Sequence, residues 1–236
     1  MIRTFLTTFF ATMVCLAVSP AMAQHSDVEF EYGDGQIVIE GGADLFEAEF
    51  PTSGASQNFT IDPGFASEVD EGLGVGANDD IFIRFVSSPN ASFGPAPLLY
   101  HDGDGFASTA ASISVEDNST QTSDLGIFET GFTGDNPVFL GTADSTGDIH
   151  THVDFILSSG AAQGAYGVLF ELESSNVDYE NSDPVLIVFN HGLDEDVFED
   201  VVIPAFSSAT AVPEPSSLIV MGIGTFGLIL RRRRRE

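Results

Sequence analysis

Two histidines separated by one residue are the clearest candidates for chemistry in this sequence. They are His150 and His152, in the segment Gly-Asp-Ile-His-Thr-His-Val-Asp-Phe-Ile-Leu at 147–157. Residues two apart in a strand lie on the same face, about 7 Å apart along the chain, so both imidazoles can approach one ion. Neutral imidazole is a good ligand for Zn, Cu, Ni and Fe. The spacing predicts a metal site, although an exposed strand that carries two histidines without a ligand has the same pattern.

The same strand pattern assigns the other side of the segment to the core. Val153, Phe155 and Leu157 alternate with the histidine row, so we expect them to point inwards. Asp154 would share the face of the histidines. Together with Asp148, which precedes them, it is a weaker candidate for an oxygen ligand.

A third imidazole lies near the start of the chain. His25 is followed by Ser26 and Asp27 and leads into the segment 28–32, where acidic residues alternate with Val, Phe and Tyr. This alternation predicts a strand. His25 can serve the histidine pair if that strand lies beside the segment 147–157. Otherwise, a histidine so near a terminus is solvated.

The elements that must position these side chains are predicted to be strands. Short segments rich in β-branched and aromatic residues lie at 37–39, 81–86, 138–140, 166–172 and 185–189. Turn residues such as Asp34-Gly35 separate them. No segment of the body has an amphipathic helical stripe over three turns. We therefore expect an all-β fold, an antiparallel β-sandwich of the immunoglobulin-like or jelly-roll-like kind.

The first 23 residues have the layout of a secretory signal. A basic start at Arg3 precedes an apolar stretch and then Ala21-Met22-Ala23. Signal peptidase recognises small residues at such positions, so we expect cleavage between Ala23 and Gln24. The apolar stretch predicts a signal helix that is absent from the mature protein.

The C-terminal tail at 212–236 carries a second signal. Pro213, Glu214 and Pro215 precede an apolar run at 216–230, which predicts a membrane helix shorter than the usual ~20 residues. An arginine block follows: Arg231, Arg232, Arg233, Arg234 and Arg235. It would stay cytoplasmic and leave the body outside, as in an ordinary tail anchor. However, this order of features resembles the PEP-CTERM sorting signal, which Gram-negative bacteria process with an exosortase. The resemblance implies passage through the inner membrane, cleavage near Pro-Glu-Pro, and delivery to the envelope surface or extracellular matrix.

The sequence predicts a body domain at 24–206, followed by a small-residue linker at 207–211. The composition of this body limits which functions it can have. Of the 36 acidic residues only Glu214 and Glu236 lie in the tail, lysine is absent, and Arg84 is the only arginine of the body. Phosphate backbones are bound by Lys and Arg, so nucleic acid is excluded as a partner. The acidity suits the attraction of cations or solubility in saline surroundings. The single cysteine, Cys15, leaves with the signal segment, so the mature domain has no disulfide and no thiolate metal site.

Other motifs predict structure rather than chemistry. Asp102-Gly103-Asp104-Gly105 lacks the spacing of a calcium-binding EF-hand and is typical of a hairpin turn. The acidic run at 194–200 is typical of a solvated loop. The body contains no nucleophile elbow, phosphate loop or dinucleotide fingerprint. We therefore expect no enzymatic activity, although a three-histidine zinc site with an open position could in principle activate water.

Five blocks of the body resemble a known set of surface proteins; they lie at 25–32, 97–106, 147–155, 164–172 and 181–190. Together they are similar to PEP-CTERM surface proteins that cyanobacteria control through the zinc-uptake repressor. Their order also resembles the choice-of-anchor M domains of actinobacteria, which are encoded near zinc-type transporters. The resemblance implies a zinc-linked role with His25, His150 and His152 as ligands, and Asp27 as a weaker one. His101 stands where the resemblance leads us to expect an aromatic residue, so it is interpreted as a strand-end residue.

The sequence thus predicts an exported, non-enzymatic surface protein that binds zinc or a similar divalent metal. Signal peptidase and exosortase would be its partners during export. The alternative is a structural protein of the extracellular matrix, whose acidic surface associates with exopolysaccharide and with divalent ions in general.

Overall fold

The computed structural model describes residues 27–88, 98–117, 122–126, 133–134 and 137–210. The predicted signal segment at 1–23, His25 and the predicted sorting signal at 212–236 lie outside these ranges. Within the described ranges, no helix has the length and apolar character needed to cross a membrane.

The described part of the chain is built mainly of strands. They are β1 (Val28–Gly33), β2 (Gln36–Ile39), β3 (Leu45–Glu49), β4 (Phe59–Thr60), β5 (Phe65–Ser67), β6 (Asp80–Val86), β7 (Leu98–His101), β8 (Ser112–Glu116), β9 (Thr122–Gly126), β10 (Thr133–Gly134), β11 (Val138–Thr142), β12 (Ile149–Thr151), β13 (Asp154–Leu157), β14 (Gly164–Ser174) and β15 (Val185–His191). Short 3-10 helices lie at Glu40–Gly42 and Val69–Glu71. A C-terminal helical segment comprises α1 (Glu195–Val197), a π-helical turn (Phe198–Val202) and α2 (Ile203–Thr210). The predicted all-β class is confirmed.

The strands form three sheets. Their orders are β12-β5-β1-β2, β10-β9-β8-β13-β4 and β11-β6-β14-β15-β3, with β7 also paired to β14. Most neighbours are antiparallel, but β1 is parallel to β5 and β3 is parallel to β15. The sandwich is therefore built from mixed as well as antiparallel sheets.

One apolar core lies between two layers of sheet. Phe65 of the four-stranded sheet meets Phe170 edge to face with ring centroids 5.8 Å apart. Phe155 of the five-stranded sheet packs against Phe189 with a centroid distance of 5.0 Å. Both partners belong to the six-stranded sheet. That sheet thus forms one layer, and the two smaller sheets together form the other.

The chain passes from one sheet to another between Thr151 and Asp154, which corrects the single strand predicted from the sequence. β12 pairs with β5 in the four-stranded sheet, whereas β13 pairs with β8 and β4 in the five-stranded sheet. Val153, Phe155 and Leu157 are nevertheless at most 1% exposed. Because both sheets face the same core, the inward row continues through the change of sheet.

The C-terminal helical segment covers the outer face of the six-stranded sheet. It includes most of the segment 207–211, for which the sequence predicted a linker. α2 continues to Thr210, with Phe206 and Ala209 buried. Phe206 packs in a cluster with Leu169 and Val188, from β14 and β15. Gly167 makes room for this contact, since a Cβ atom there would lie 2.3 Å from Phe206 Cε1. Residues 207–210 of the predicted linker are therefore helical, because the six-stranded sheet is apolar on both faces and this segment buries the outer one; residue 211 lies outside the described residues.

Two predicted Asp-Gly turns are present. Asp34 and Gly35 join β1 to β2 with φ angles of 48° and 86°, the left-handed conformation that a tight hairpin requires. After β7, Asp102 Oδ1 accepts hydrogen bonds from the backbone N–H groups of Asp104 and Gly105, each at 2.9 Å. These bonds lower the pKa of the Asp102 carboxyl.

Candidate metal centre

Strand register brings potential ligands from distant parts of the sequence to the outer face of the four-stranded sheet. β5 lies between β1 and β12, so that Phe65 is opposite both Val28 and Thr151. In the next row across the sheet, Gly64 lies between Asp27 on one side and His152 on the other. Neighbouring rows of a sheet face opposite ways, so this row faces away from the buried Phe65 side chain and towards solvent.

His150 lies on the same outer face, two residues before His152. It is opposite Ala66 of β5, a small residue that is only 4% exposed. The imidazole ring centroids of His150 and His152 are 5.4 Å apart. The two imidazole rings therefore lie side by side, although His152 comes directly after the last residue of β12.

Asp27, His150 and His152 form a group suited to a metal ion. Each offers one ligand atom, and these atoms all lie within 4.8 Å of one another. The shortest approach is 2.9 Å, between His150 Nε2 and Asp27 Oδ2. A tetrahedral zinc ion with bonds of 2.0–2.1 Å holds its ligand atoms about 3.3 Å apart. Side-chain movements of about 1 Å would therefore bring these atoms to the separations of a zinc site.

Both histidines place Nδ1 near an oxygen atom. His150 Nδ1 is 3.3 Å from Glu68 Oε1, and His152 Nδ1 is 3.0 Å from the carbonyl oxygen of Ile61. When Nδ1 of a neutral imidazole donates its proton, Nε2 carries the lone pair. Ligating histidines in proteins nearly always hold their second ring nitrogen in this way. The group thus has the candidate ligands and also the oxygen atoms that would hold the second ring nitrogen of each histidine.

Gly64 allows the carboxylate and the imidazole to meet. A Cβ atom at this position would lie 2.6 Å from Asp27 Oδ1 and 2.6 Å from His152 Cε1. Its backbone N–H also donates a hydrogen bond of 3.1 Å to Asp27 Oδ1. This bond orients the carboxylate, so that Oδ2 is the oxygen directed at His150.

The site is open to solvent. The exposed fraction is 51% for the His150 side chain, 36% for Glu68 and 28% for Asp27. An ion bound here would keep coordination positions for water, unlike an ion in a closed structural site.

Acidic side chains continue across the same sheet from the histidines. Glu29 on β1 lies near Glu40, which follows β2, and a hydrogen bond between the two side chains raises the pKa of Glu29 to about 7. Desolvation and the negative charges of Glu40, Glu71 and Asp27 act in the same direction. Among the described residues the one arginine, Arg84, is paired with Glu173. The face therefore carries a strongly negative potential that attracts cations.

Asp27, a weaker candidate from the sequence, belongs to this group, whereas the other two, Asp154 and Asp148, do not. Asp154 begins β13 and is opposite Glu116 of β8. Asp148 accepts a hydrogen bond of 2.6 Å from the backbone N–H of Val69 and one of 2.8 Å from the Thr146 hydroxyl. His25 lies outside the described residues, two positions before Asp27.

Two further histidines are buried and take structural roles. His101 ends β7, as expected for a strand-end residue, and its Nδ1 accepts a hydrogen bond of 3.1 Å from the Gly103 N–H. Burial lowers the pKa of His101. His191 ends β15 with Nδ1 3.3 Å from the carbonyl oxygen of Phe50.

Sequence reasoning missed Glu68, Gly64 and the carbonyl of Ile61. All three lie in or near β5, a strand of three residues that no periodic pattern predicts. The available signal was the Pro-Gly turn at 63–64, which breaks the chain just before the strand.

Comparison with known proteins identifies the C-terminal tail. A model of the PEP-CTERM protein-sorting motif matches residues 211–235, which include Pro213, Glu214, Pro215 and the arginine block. No curated protein matches the chain. The chain thus carries a PEP-CTERM sorting motif, which supports export, processing by exosortase, and display at the cell surface of a Gram-negative-type bacterium.

Proposed function

We propose that the domain binds zinc, or a similar divalent metal, at the cell envelope through Asp27, His150 and His152. The observation that carries the proposal is the convergence of two imidazoles and one carboxylate on one sheet face, with ligand atoms within 4.8 Å of one another. The oxygen contacts of both Nδ1 atoms support it, since they leave Nε2 of each ring as the metal-binding nitrogen.

The site suits reversible metal binding. The ligand side chains are partly exposed, so a bound ion would remain in contact with solvent and with competing ligands. A protein displayed outside the cell with such a site would capture or buffer zinc and so contribute to metal acquisition. The resemblance of the five body blocks to surface proteins under a zinc-uptake repressor supports the same role.

A second candidate function is that of an acidic matrix protein. It is favoured by the formal net charge of −29 and by the close pairing of Glu29 with Glu40, whose side-chain hydrogen bond raises the pKa of Glu29 to about 7. Such a protein would associate with exopolysaccharide through shared divalent ions. Its ion binding would be weak, and it would depend on the acidic residues rather than on the histidines.

Gly64→Ala separates these functions without removing a ligand. The added methyl group must displace Asp27 Oδ1 and the His152 ring, so we expect zinc affinity to fall about tenfold or more, as for other changes that misplace ligands. Competition between the mature protein and a chromogenic chelator measures this affinity.

Gly105→Ala is the matched control, because nothing lies within 4 Å of a Cβ atom at that position. It should leave zinc affinity unchanged. Wild-type affinity in a correctly folded Gly64→Ala variant would contradict the proposal. Thermal unfolding of both variants establishes that they are folded.

A further inference from the structure

His150 lies between two carboxylates, one at each ring nitrogen. Asp27 Oδ2 is 2.9 Å from Nε2, and Glu68 Oε1 is 3.3 Å from Nδ1. A neutral imidazole carries a single N–H and can donate to one of these carboxylates at a time. The two acids therefore have different roles once a metal ion binds at one of the nitrogens.

We infer that Glu68 is a positioning residue of the metal centre: it accepts the Nδ1–H of His150 and so directs Nε2 to the metal bound by Asp27. This inference rests on the proposed function and deepens it. An ion held by Asp27 and Nε2 lies on the opposite side of the ring from Glu68, so Glu68 acts through His150 rather than as a ligand.

The backbone around Glu68 is well held. Glu68 follows β5 directly, two residues after Ala66, and so shares the outer face with His150. Its carbonyl oxygen accepts hydrogen bonds of 3.1 Å from the backbone N–H groups of both Glu71 and Leu73. The adjacent Val69 N–H is held by Asp148 at 2.6 Å. Asp148 thus supports the turn that presents Glu68.

The charge of Glu68 also favours metal binding. A carboxylate at Nδ1 increases the basicity of the ligating nitrogen. Together, Asp27 and Glu68 supply two negative charges, which balance a divalent cation. A neutral acceptor at position 68 would preserve the orientation of the His150 ring, but it would lose the contribution of the negative charge to metal affinity.

The test compares Glu68→Ala and Glu68→Gln, with the exposed Asp70, in the 3-10 helix that follows Glu68, changed to alanine as the matched control. With Zn²⁺ as the probe, we expect Glu68→Ala to lose about 10- to 100-fold in affinity, the usual effect of removing such a partner. Glu68→Gln should recover part of this loss, because its amide oxygen still accepts the Nδ1–H. Asp70→Ala should bind as the wild type does.

The tautomer of His150 is the readout that a merely structural role would not change. Nitrogen-15 NMR of the zinc-loaded wild type should show a protonated Nδ1 and a metal-bound Nε2 at His150. Coordination through Nδ1, or unchanged affinity in Glu68→Ala, would overturn the positioning role while leaving the metal site in place. Failure of the wild type to bind Zn²⁺ tightly would instead overturn the proposed function itself.

Discussion

Replacing His150 and His152 together with alanine should lower the zinc affinity of the mature protein by at least about a thousandfold. Zinc sites with four ligands bind with about 10–16 kcal/mol, or about 3 kcal/mol per ligand. The loss of two imidazoles therefore removes about 6 kcal/mol, well above the ~4 kcal/mol that corresponds to a thousandfold change. Both side chains lie on the solvent face of the sheet, so the variant should keep its fold. Isothermal titration with a competing chelator measures the change.

The acidic run at the start of the helical segment provides the control. Replacing the exposed Glu195, Asp196 and Glu199 with their amides removes three negative charges away from the site. Asp194 is left in place, because its side chain accepts a hydrogen bond from the Asp196 N–H at the start of α1. Tight binding should survive. If the amide variant loses binding while the histidine variant retains it, the acidic surface as a whole attracts the metal ions. That result would favour the matrix function over the zinc site.

Phe155→Ala should cost about 3–5 kcal/mol of the free energy of unfolding. Phe155 is fully buried on β13 and packs against Phe189 of the opposite layer. Its removal leaves a cavity between the two packed layers. The described residues include no cysteine, so no disulfide within them offsets the loss. Denaturant unfolding measures the difference.

A surface residue is the reference for this change. Val177 is 95% exposed, so Val177→Ala should alter the free energy of unfolding by no more than about 0.5 kcal/mol. A loss below about 1 kcal/mol for Phe155→Ala would mean that this side chain is not part of the core. The sandwich arrangement of β13 against the six-stranded sheet would then be wrong.

Local patterns were sufficient to predict most of the longer strands, but neither the short β5 nor the helical layer outside the sheets. Each segment predicted at 28–32, 37–39 and 81–86 overlaps an observed strand, because one of its faces is buried and alternation is visible. β14 and β15 are apolar on both faces, a pattern typical of strands covered on both sides. This pattern predicts a further element that covers the outer face of β14 and β15, and the C-terminal helical segment is that element.

The covering helix was missed because its apolar stripe begins inside the acidic run. Phe198, Val202, Phe206 and Ala209 are all buried, and their spacing of three and four residues is that of one helix face. The acids at 194–200 and the small residues after Phe206 suggested a loop and a linker instead. Tertiary contact with the six-stranded sheet outweighed the weak helical propensity of this stretch.

The candidate site could be predicted in part. The pair His150 and His152 is visible from spacing alone, and Asp27 was placed among the weaker ligands. Their approach depends on β5 lying between β1 and β12, a pairing of segments far apart in the chain. The register of such pairs is set by packing and turns rather than by local sequence, so Glu68 and Gly64 could not be placed beside the histidines beforehand.

X-ray absorption spectroscopy and a crystal structure of the zinc-loaded mature protein test the central claim most directly. We expect one zinc ion on the outer face of the four-stranded sheet, bound by Nε2 of His150 and of His152 at about 2.0–2.1 Å and by a carboxylate oxygen of Asp27. Water would complete its coordination. Zinc coordinated by oxygen atoms alone, or bound away from these three residues, would contradict the account.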